Sequence, residues 1–105
     1  MRRGDIFSLR LSTGLGRERR GRRYGVVVQS DAFLPRSVVL IAPTSTRARR
    51  ASFRPEIEIE GTRTRVLVER VGAIDVGRLG DLAGRLSPEE QWGVDAALLA
   101  VLGLV

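Results

Sequence analysis

The stretch from Gly25 to Thr46, GVVVQSDAFLPRSVVLIAPTST, decides the fold. Gly25-Val26-Val27-Val28-Gln29 is a β-branched run, and Ser37 to Ala42 (SVVLIA) is a second continuous apolar run, with Pro35 punctuating the chain between them. Val and Ile are stiff at χ1 and suit a pleated backbone. Unbroken apolar runs this short therefore read as strands buried on both faces. Pro43-Thr44-Ser45-Thr46 reads as the close of the second strand, three hydroxyls in a row followed by Arg47, Arg49 and Arg50. Proline lacks the N–H a ladder needs, and Ser and Thr bond readily to neighbouring backbone in turns.

Outward from that pair, residues 5–11 (DIFSLRL) alternate imperfectly and fit a short strand. Residues 12–24 are polar, with Gly14, Gly16, Gly21 and five Arg, and are long for a connection. On the other side, residues 56–60 (EIEIE) alternate strictly, which sets Ile57 and Ile59 inward and three Glu outward. Gly61-Thr62 suits a tight turn, and residues 64–71 (TRVLVERV) form the return strand. A short helix is expected over Val76 to Leu82. Ser87-Pro88-Glu89-Glu90 combines an N-cap Ser, Pro at the first helical position and Glu at the third. Val94, Ala97, Leu98, Val101 and Leu102 then recur at helical spacing, with Trp92 expected to pack and Gly103 to stop the helix. Five or six short strands with one C-terminal α-helix predict a mainly β fold, a small barrel or sandwich-like sheet.

A chain of 105 residues argues for one domain spanning 1–105 around one core. All 18 basic residues are Arg, and against 12 carboxylates they leave a net charge of +6. That charge is uneven: residues 1–54 carry 13 Arg against Asp5, Glu18 and Asp31, while residues 55–105 carry 5 Arg against nine carboxylates. The absence of Cys removes disulfides, thiolate nucleophiles and Cys-type zinc sites. The absence of His removes the Ser-His-Asp triad and imidazole ligands. Acid–base chemistry must then use carboxylates, hydroxyls or Tyr. No targeting segment is recognisable, and the longest apolar stretch, Ala96 to Val105, is far short of the ~20 residues a membrane span needs. The chain reads as cytoplasmic, and on composition alone a carboxylate-only Mg²⁺ site stays open.

Four groups carry candidate chemistry. Arg17, Arg19, Arg20, Arg22 and Arg23 crowd a glycine-containing segment, and guanidinium groups recognise phosphate bidentately. Binding of nucleic acid through them would weaken steeply with salt. Thr44, Ser45 and Thr46 can donate to a phosphoryl oxygen or simply serve turn geometry. Tyr24, beside the Arg cluster, can stack on a base or be an ordinary strand residue. Glu56, Glu58 and Glu60 share a strand face, where they can face a metal or, more simply, block edge pairing.

Taken in order, these pieces resemble the MazF/PemK family of toxin endoribonucleases. Arg2-Arg3-Gly4-Asp5-Ile6-Phe7 resembles that family's N-terminal start, and Arg22 to Asp31 (RRYGVVVQSD) resembles its R-P-V-V-V-x-Q/S-x-D strand. Ile41-Ala42-Pro43-Thr44-Ser45-Thr46 stands where the family has A-P-x-T-S/T. Val68-Glu69, Ile74-Asp75 and Arg78-Leu79 follow its D/E-Q-I-R-T-I/V-D-x-x-R-L stretch, and Gly84 to Glu90 (GRLSPEE) matches the start of its last helix.

The resemblance implies a small SH3-like β-barrel of the MazF/PemK/CcdB type, working as a homodimer. It implies metal-independent, sequence-specific cleavage of single-stranded RNA by the RNA's own 2′-hydroxyl, leaving a 2′,3′-cyclic phosphate and a 5′-hydroxyl. It also implies a cognate antitoxin with an acidic C-terminal tail. The family's essential Arg falls on Arg23, its Glu on Glu18, and its catalytic Thr on Ser45, with Thr44 and Thr46 close alternatives; Arg17, Arg19, Arg20, Arg22, Tyr24, Thr44, Thr46 and Arg47 form the RNA-binding set. Two departures stand out: Tyr24-Gly25 replaces the Pro after the Arg, and Ser replaces the Thr. Two other readings on the same barrel are a gyrase-inhibiting toxin acting through the helix end, here Leu102-Gly103-Leu104-Val105 without an aromatic anchor, and a non-cleaving RNA-binding relative.

Overall fold

The computed structural model describes residues 1–10, 23–34 and 36–105. Among them are seven strands: β1 (Asp5–Leu9), β2 (Arg23–Val27), β3 (Val38–Ser45), β4 (Glu56–Ile59), β5 (Thr62–Val66), β6 (Gly72–Asp75) and β7 (Leu79–Arg85), followed by α1 (Pro88–Val101). The sheet runs β4-β5-β3-β2-β1-β7, with β6 also on β3, and all pairings are antiparallel. It curls into a half-barrel against the one α-helix, the mainly β architecture with a C-terminal helix expected from sequence.

The curl originates in β3. One edge of this eight-residue strand pairs with β2, from Val27↔Ile41 to Gly25↔Pro43. Its other edge pairs first with β6, over Val38 to Ile41, and then with β5 at Thr44 and Ser45. The strand does not end before Pro43, as expected, but continues to Ser45. The backbone of residue 43 faces the β5 side, where only its carbonyl is engaged, accepting from Leu67 N at 2.8 Å. The proline ring therefore breaks no bond to β2.

Alternation along these strands fills two faces. Val26, Val28, Ala42, Ile57, Ile59, Val66 and Val68 pack with Ile6 and with Val94 and Ala97 of α1. Val27, Val39, Ile41 and Leu79 form a second cluster on the opposite face, lined by Phe7, Leu9 and Ile74. Each fully buried Val contributes roughly 1.5–3 kcal/mol of transfer free energy. The valine run is thus buried on both sides, as its unbroken apolar character required.

Elsewhere the boundaries shift for local reasons. The β4–β5 loop is Glu60-Gly61, one residue earlier than expected, with Ile59 opposite Thr62 and φ of 51° and 84°. Positive φ at both loop residues is the type I′ geometry that matches strand twist. The expected 64–71 strand stops at Val66, where β5 gives way to a 3-10 turn at Val68–Arg70, and β6 begins only at Gly72. The expected helix at Val76 to Leu82 is absent: a 3-10 turn at Val76–Arg78, capped by Asp75 Oδ1 on Gly77 N at 2.7 Å, leads into β7. β7 follows no clean alternation because it pairs with β1 through two bulges. At one of them Ser8 Oγ accepts from Asp81 N, and a Cβ on Gly80 would lie 2.3 Å from that oxygen.

The helix starts as its capping box dictates. Ser87 Oγ accepts from Glu90 N at 3.1 Å, and Glu90 Oε1 accepts from Ser87 N at 2.9 Å. The same carboxylate reaches the edge strand, where Oε2 accepts from Glu58 N at 2.9 Å. Gly103 closes the helix with φ 71° and the Schellman pair Leu104 N to Leu99 O and Gly103 N to Ala100 O. Trp92 does not pack as expected but is 76% exposed, and Val101 and Leu102 are exposed too. Of the helix's apolar residues, Val94 and Ala97 join the main core and Leu98 packs against it.

Candidate nucleic-acid interface

Strand register builds the site. Gly25 lies opposite Pro43, and continuing that antiparallel register by two residues sets Arg23 opposite Ser45. Side chains alternate, so Arg23 and Ser45 share the face of Val27 and Ile41, while Tyr24 and Thr44 share the face of Val26 and Ala42. A hydrogen bond at the limiting length of 3.5 Å from Thr44 Oγ1 to Tyr24 O is consistent with that continuation. Arg23 is exposed and Ser45 half-buried, so the face is open to solvent at this end. Gly25 has a packing role here. A Cβ on it would lie 3.0 Å from Ile41 Cδ1 and 3.3 Å from Leu9, so a larger residue would press on the layer beneath Arg23.

The hydroxyls divide between the two faces. Thr44 is buried beside Tyr24, whose ring packs on the main core and whose hydroxyl meets Glu60 Oε1 at 3.3 Å. Ser45 Oγ accepts from Arg47 N at 3.1 Å, a turn bond that fixes the oxygen while leaving the hydroxyl proton able to donate outward. Thr46 and Arg47 follow, both exposed, at the same strand end. The sequence-predicted residues Arg23, Ser45, Thr46 and Arg47 are therefore brought to one region, with Tyr24 and Thr44 on the opposite sheet face. Glu18, Arg17, Arg19, Arg20 and Arg22 lie outside the described residues.

A strut that sequence reading missed holds the segment after Ser45. Arg54 Nε and NH2 both donate to Glu69 Oε2, at 3.0 and 2.8 Å, and NH1 donates to Arg49 O at 3.1 Å. The guanidinium also lies over the Phe53 ring, 5.4 Å from its centroid. Burial pushes the Glu69 carboxyl up, Oε1 being buried without a partner, but the hydrogen bonds from Arg54 and the charges of Arg54 and Arg70 outweigh it and hold it below its ordinary value. Arg65, opposite Ser45 in the β3–β5 pairing, donates from NH1 to Arg54 O at 3.1 Å. The only sequence signal for Arg65 was its outward place in the alternating run Thr62-Arg63-Thr64-Arg65-Val66.

The Glu-faced strand is engaged by cations. Glu56 pairs with Arg63 and Arg65 at 3.3 and 3.4 Å, and among the described residues no three carboxylates gather to hold a metal. A shallow cleft of about 180 Å³ opens on the β4 edge, lined by Glu56, Ile57, Glu58, Arg63 and Glu90. Its mainly acidic lining suits an anion poorly.

A half-barrel of antiparallel strands with a C-terminal helix and an exposed arginine at one strand end defines a small basic β protein. The protein belongs to the family of PemK-like, MazF-like toxins of type II toxin–antitoxin systems, whose family model matches residues 2–102. It is 44% identical over 90 residues to the toxin candidate Rv3098A of Mycobacterium tuberculosis, an alignment covering 85% of this chain and 84% of that protein. Its fold is similar to that of an endoribonuclease from a mycobacterial species solved with its cognate antitoxin, with a TM-score of 0.79 at 19% identity, covering 100% of this chain and 97% of that one. It is similar too to MazF of Deinococcus radiodurans, with a TM-score of 0.78 at 21% identity, covering 98% and 96% of the two chains.

Proposed function

We propose that this chain is a toxin endoribonuclease that cuts single-stranded RNA at a short recognition sequence and is neutralised by a cognate antitoxin. The reading is supported by the β2–β3 register, which, continued two residues past Gly25↔Pro43, brings exposed Arg23 and half-buried Ser45 to one sheet face, in a chain of this family. In the proposed reaction the RNA 2′-oxygen attacks the adjacent phosphorus. A 2′-O–P bond forms, the P–O5′ bond breaks, and the products are a 2′,3′-cyclic phosphate and a 5′-hydroxyl. Glu18 takes the 2′-hydroxyl proton, and solvent returns one to the leaving 5′-oxygen.

Arginine stays protonated in proteins, so Arg23 acts by stabilising charge on the non-bridging oxygens rather than as a base. Ser45, its oxygen held by Arg47 N, donates its proton to one of those oxygens. Thr46, Arg47 and the Arg17, Arg19, Arg20 and Arg22 cluster grip the flanking backbone, with Tyr24 and Thr44 supporting from beneath. No metal or other cofactor takes part.

Neutralisation by an antitoxin is supported by the similar endoribonuclease solved with its cognate antitoxin, and the antitoxin of this chain would present an acidic C-terminal tail to the cationic face. The working unit is a homodimer in the cytoplasm. Exposed Trp92 and Leu99 of α1 offer apolar surface that assembly would cover, and no helix among the described residues is long and apolar enough to cross a membrane. The test is incubation with a long single-stranded RNA in EDTA, followed by end mapping. Discrete cuts with 5′-hydroxyl ends are expected. RNA retarded on a gel but left intact would replace cleavage by binding alone.

A further inference from the structure

Beyond Arg23 and Ser45, the pairing continues across two more strands. Ser45 lies opposite Arg65 in β5, and Arg65 lies opposite Glu56 in β4. Directly opposed residues share a sheet face, so Ser45, Arg65 and Glu56 form one row over three adjacent strands, and the β2–β3 register carried two residues past Gly25↔Pro43 adds Arg23 at its end. We propose that Arg65 is a second phosphate subsite, binding a backbone phosphodiester of the same single-stranded RNA that flanks the one held by Arg23 and Ser45. This subsite rests on the RNA-cleavage reading and extends it with a residue the motifs did not mark.

Three observations carry the assignment. The Cα atoms of Arg65 and Arg23 are separated by two strand spacings, roughly 10 Å, so two long side chains on one face can grip neighbouring parts of one strand. The Arg65 guanidinium is held in place: NH1 donates to Arg54 O at 3.1 Å, and Arg54 is itself fixed by Glu69. Those bonds and the Glu56 contact use two of the five N–H donors a guanidinium carries, so a phosphate oxygen can be taken without breaking either.

The third observation concerns Glu56. Its contact with Arg65 is long, at 3.4 Å, and its carboxylate is shared with Arg63 at 3.3 Å. The Arg65 side chain is 19% exposed and that of Glu56 45%, so Arg65 is held against the sheet while Glu56, the outer partner, is the solvated half of a long contact. A structural ion pair of this quality would hold little together. As a neighbour of a phosphate site, Glu56 instead weakens the field that an RNA backbone meets at Arg65.

The two partners therefore have opposite expected effects, which separates a binding role from a structural one. The probe is a fluorescently labelled single-stranded 2′-O-methyl RNA, which cannot be cut through its 2′-oxygen, titrated by anisotropy over a series of salt concentrations. Arg65→Ala is expected to bind about tenfold more weakly and to reduce the slope of log affinity against log salt by about 0.7, the loss of one single-strand phosphate contact. Arg65→Lys is expected to keep most of the slope. Glu56→Gln is expected to bind a few-fold more tightly with the slope unchanged.

An Arg65→Ala slope equal to wild type, or weakened binding in both Arg65→Ala and Glu56→Gln, overturns the subsite. Cleavage of the unmodified RNA by wild type is scored in parallel. If wild type cuts while Arg65→Ala retains the full slope, the subsite fails and the cleavage reading stands. If wild type neither cuts nor binds, both fail.

Discussion

Glu69→Gln probes the strut on which the basic segment and Arg65 depend. The substitution keeps the side chain's size and removes its charge. Both Arg54 bonds converge on one Glu69 oxygen, and the two side chains are 25% and 26% exposed. Fully exposed pairs are worth up to about 1 kcal/mol, whereas breaking a fully buried pair costs about 3–5. A three-quarters buried pair that keeps a neutral acceptor belongs between these, so the expected loss is about 1.5 kcal/mol at pH 7. Urea unfolding reads it as a midpoint lowered by roughly 0.5–1 M.

The pH dependence fixes the cause. Glu69 is held below its ordinary value of 4.5 in the folded protein, so its ionisation favours folding. That contribution is complete above the unfolded value and is lost as the pH falls through the lowered folded one. Wild type and Glu69→Gln should therefore differ at pH 7, and the difference should shrink as the pH falls below 4.5 and vanish once the carboxyl is neutral in both states. A difference that stays constant as the pH is lowered, or none at pH 7, would refute the strut.

Arg23→Ala is expected to lower RNA cleavage by about 10²–10³, the worth of one charge-stabilising donor, with an unchanged circular dichroism spectrum. Ser45→Ala should lose activity in the same assay while Ser45→Thr retains it. Glu60 occupies the first position of a type I′ turn at φ 51°, so Glu60→Asn should raise stability by about 0.5–1 kcal/mol, read as a thermal midpoint higher by about 4 °C. Trp92, at 76% exposure, should be replaceable by Ala with a stability change within about 0.5 kcal/mol in the isolated protein.

The elements legible in the sequence were those whose signals are local. The valine run, the strict EIEIE alternation and the Ser-Pro-Glu-Glu capping box each carry their own structural reason within a few residues. β7 carried none, because Leu79, Gly80, Asp81 and Leu82 become a strand only by pairing with β1 across bulges some 70 residues away. Pro43 misled for a related reason: whether a proline ends a strand depends on which side its missing N–H faces, and that is set by Leu67. Trp92 and Val101 have helical spacing, but spacing cannot show which apolar residues of a helix reach the core. Arg23 and Ser45 could be read from motif order. Arg65 could not, since its place beside Ser45 exists only in the register of β3 and β5.

In the proposed reaction the RNA supplies its own nucleophile while Arg23 and Ser45 stabilise the charge that forms. Once a cut site has been mapped, the direct measurement is cleavage of the same RNA carrying a single 2′-deoxy nucleotide immediately 5′ to the scissile phosphate. Complete loss of that cut, with other sites on the strand still cleaved, is the expected result. Continued cutting at the deoxy position would mean that water or a protein side chain attacks instead, and would contradict the mechanism.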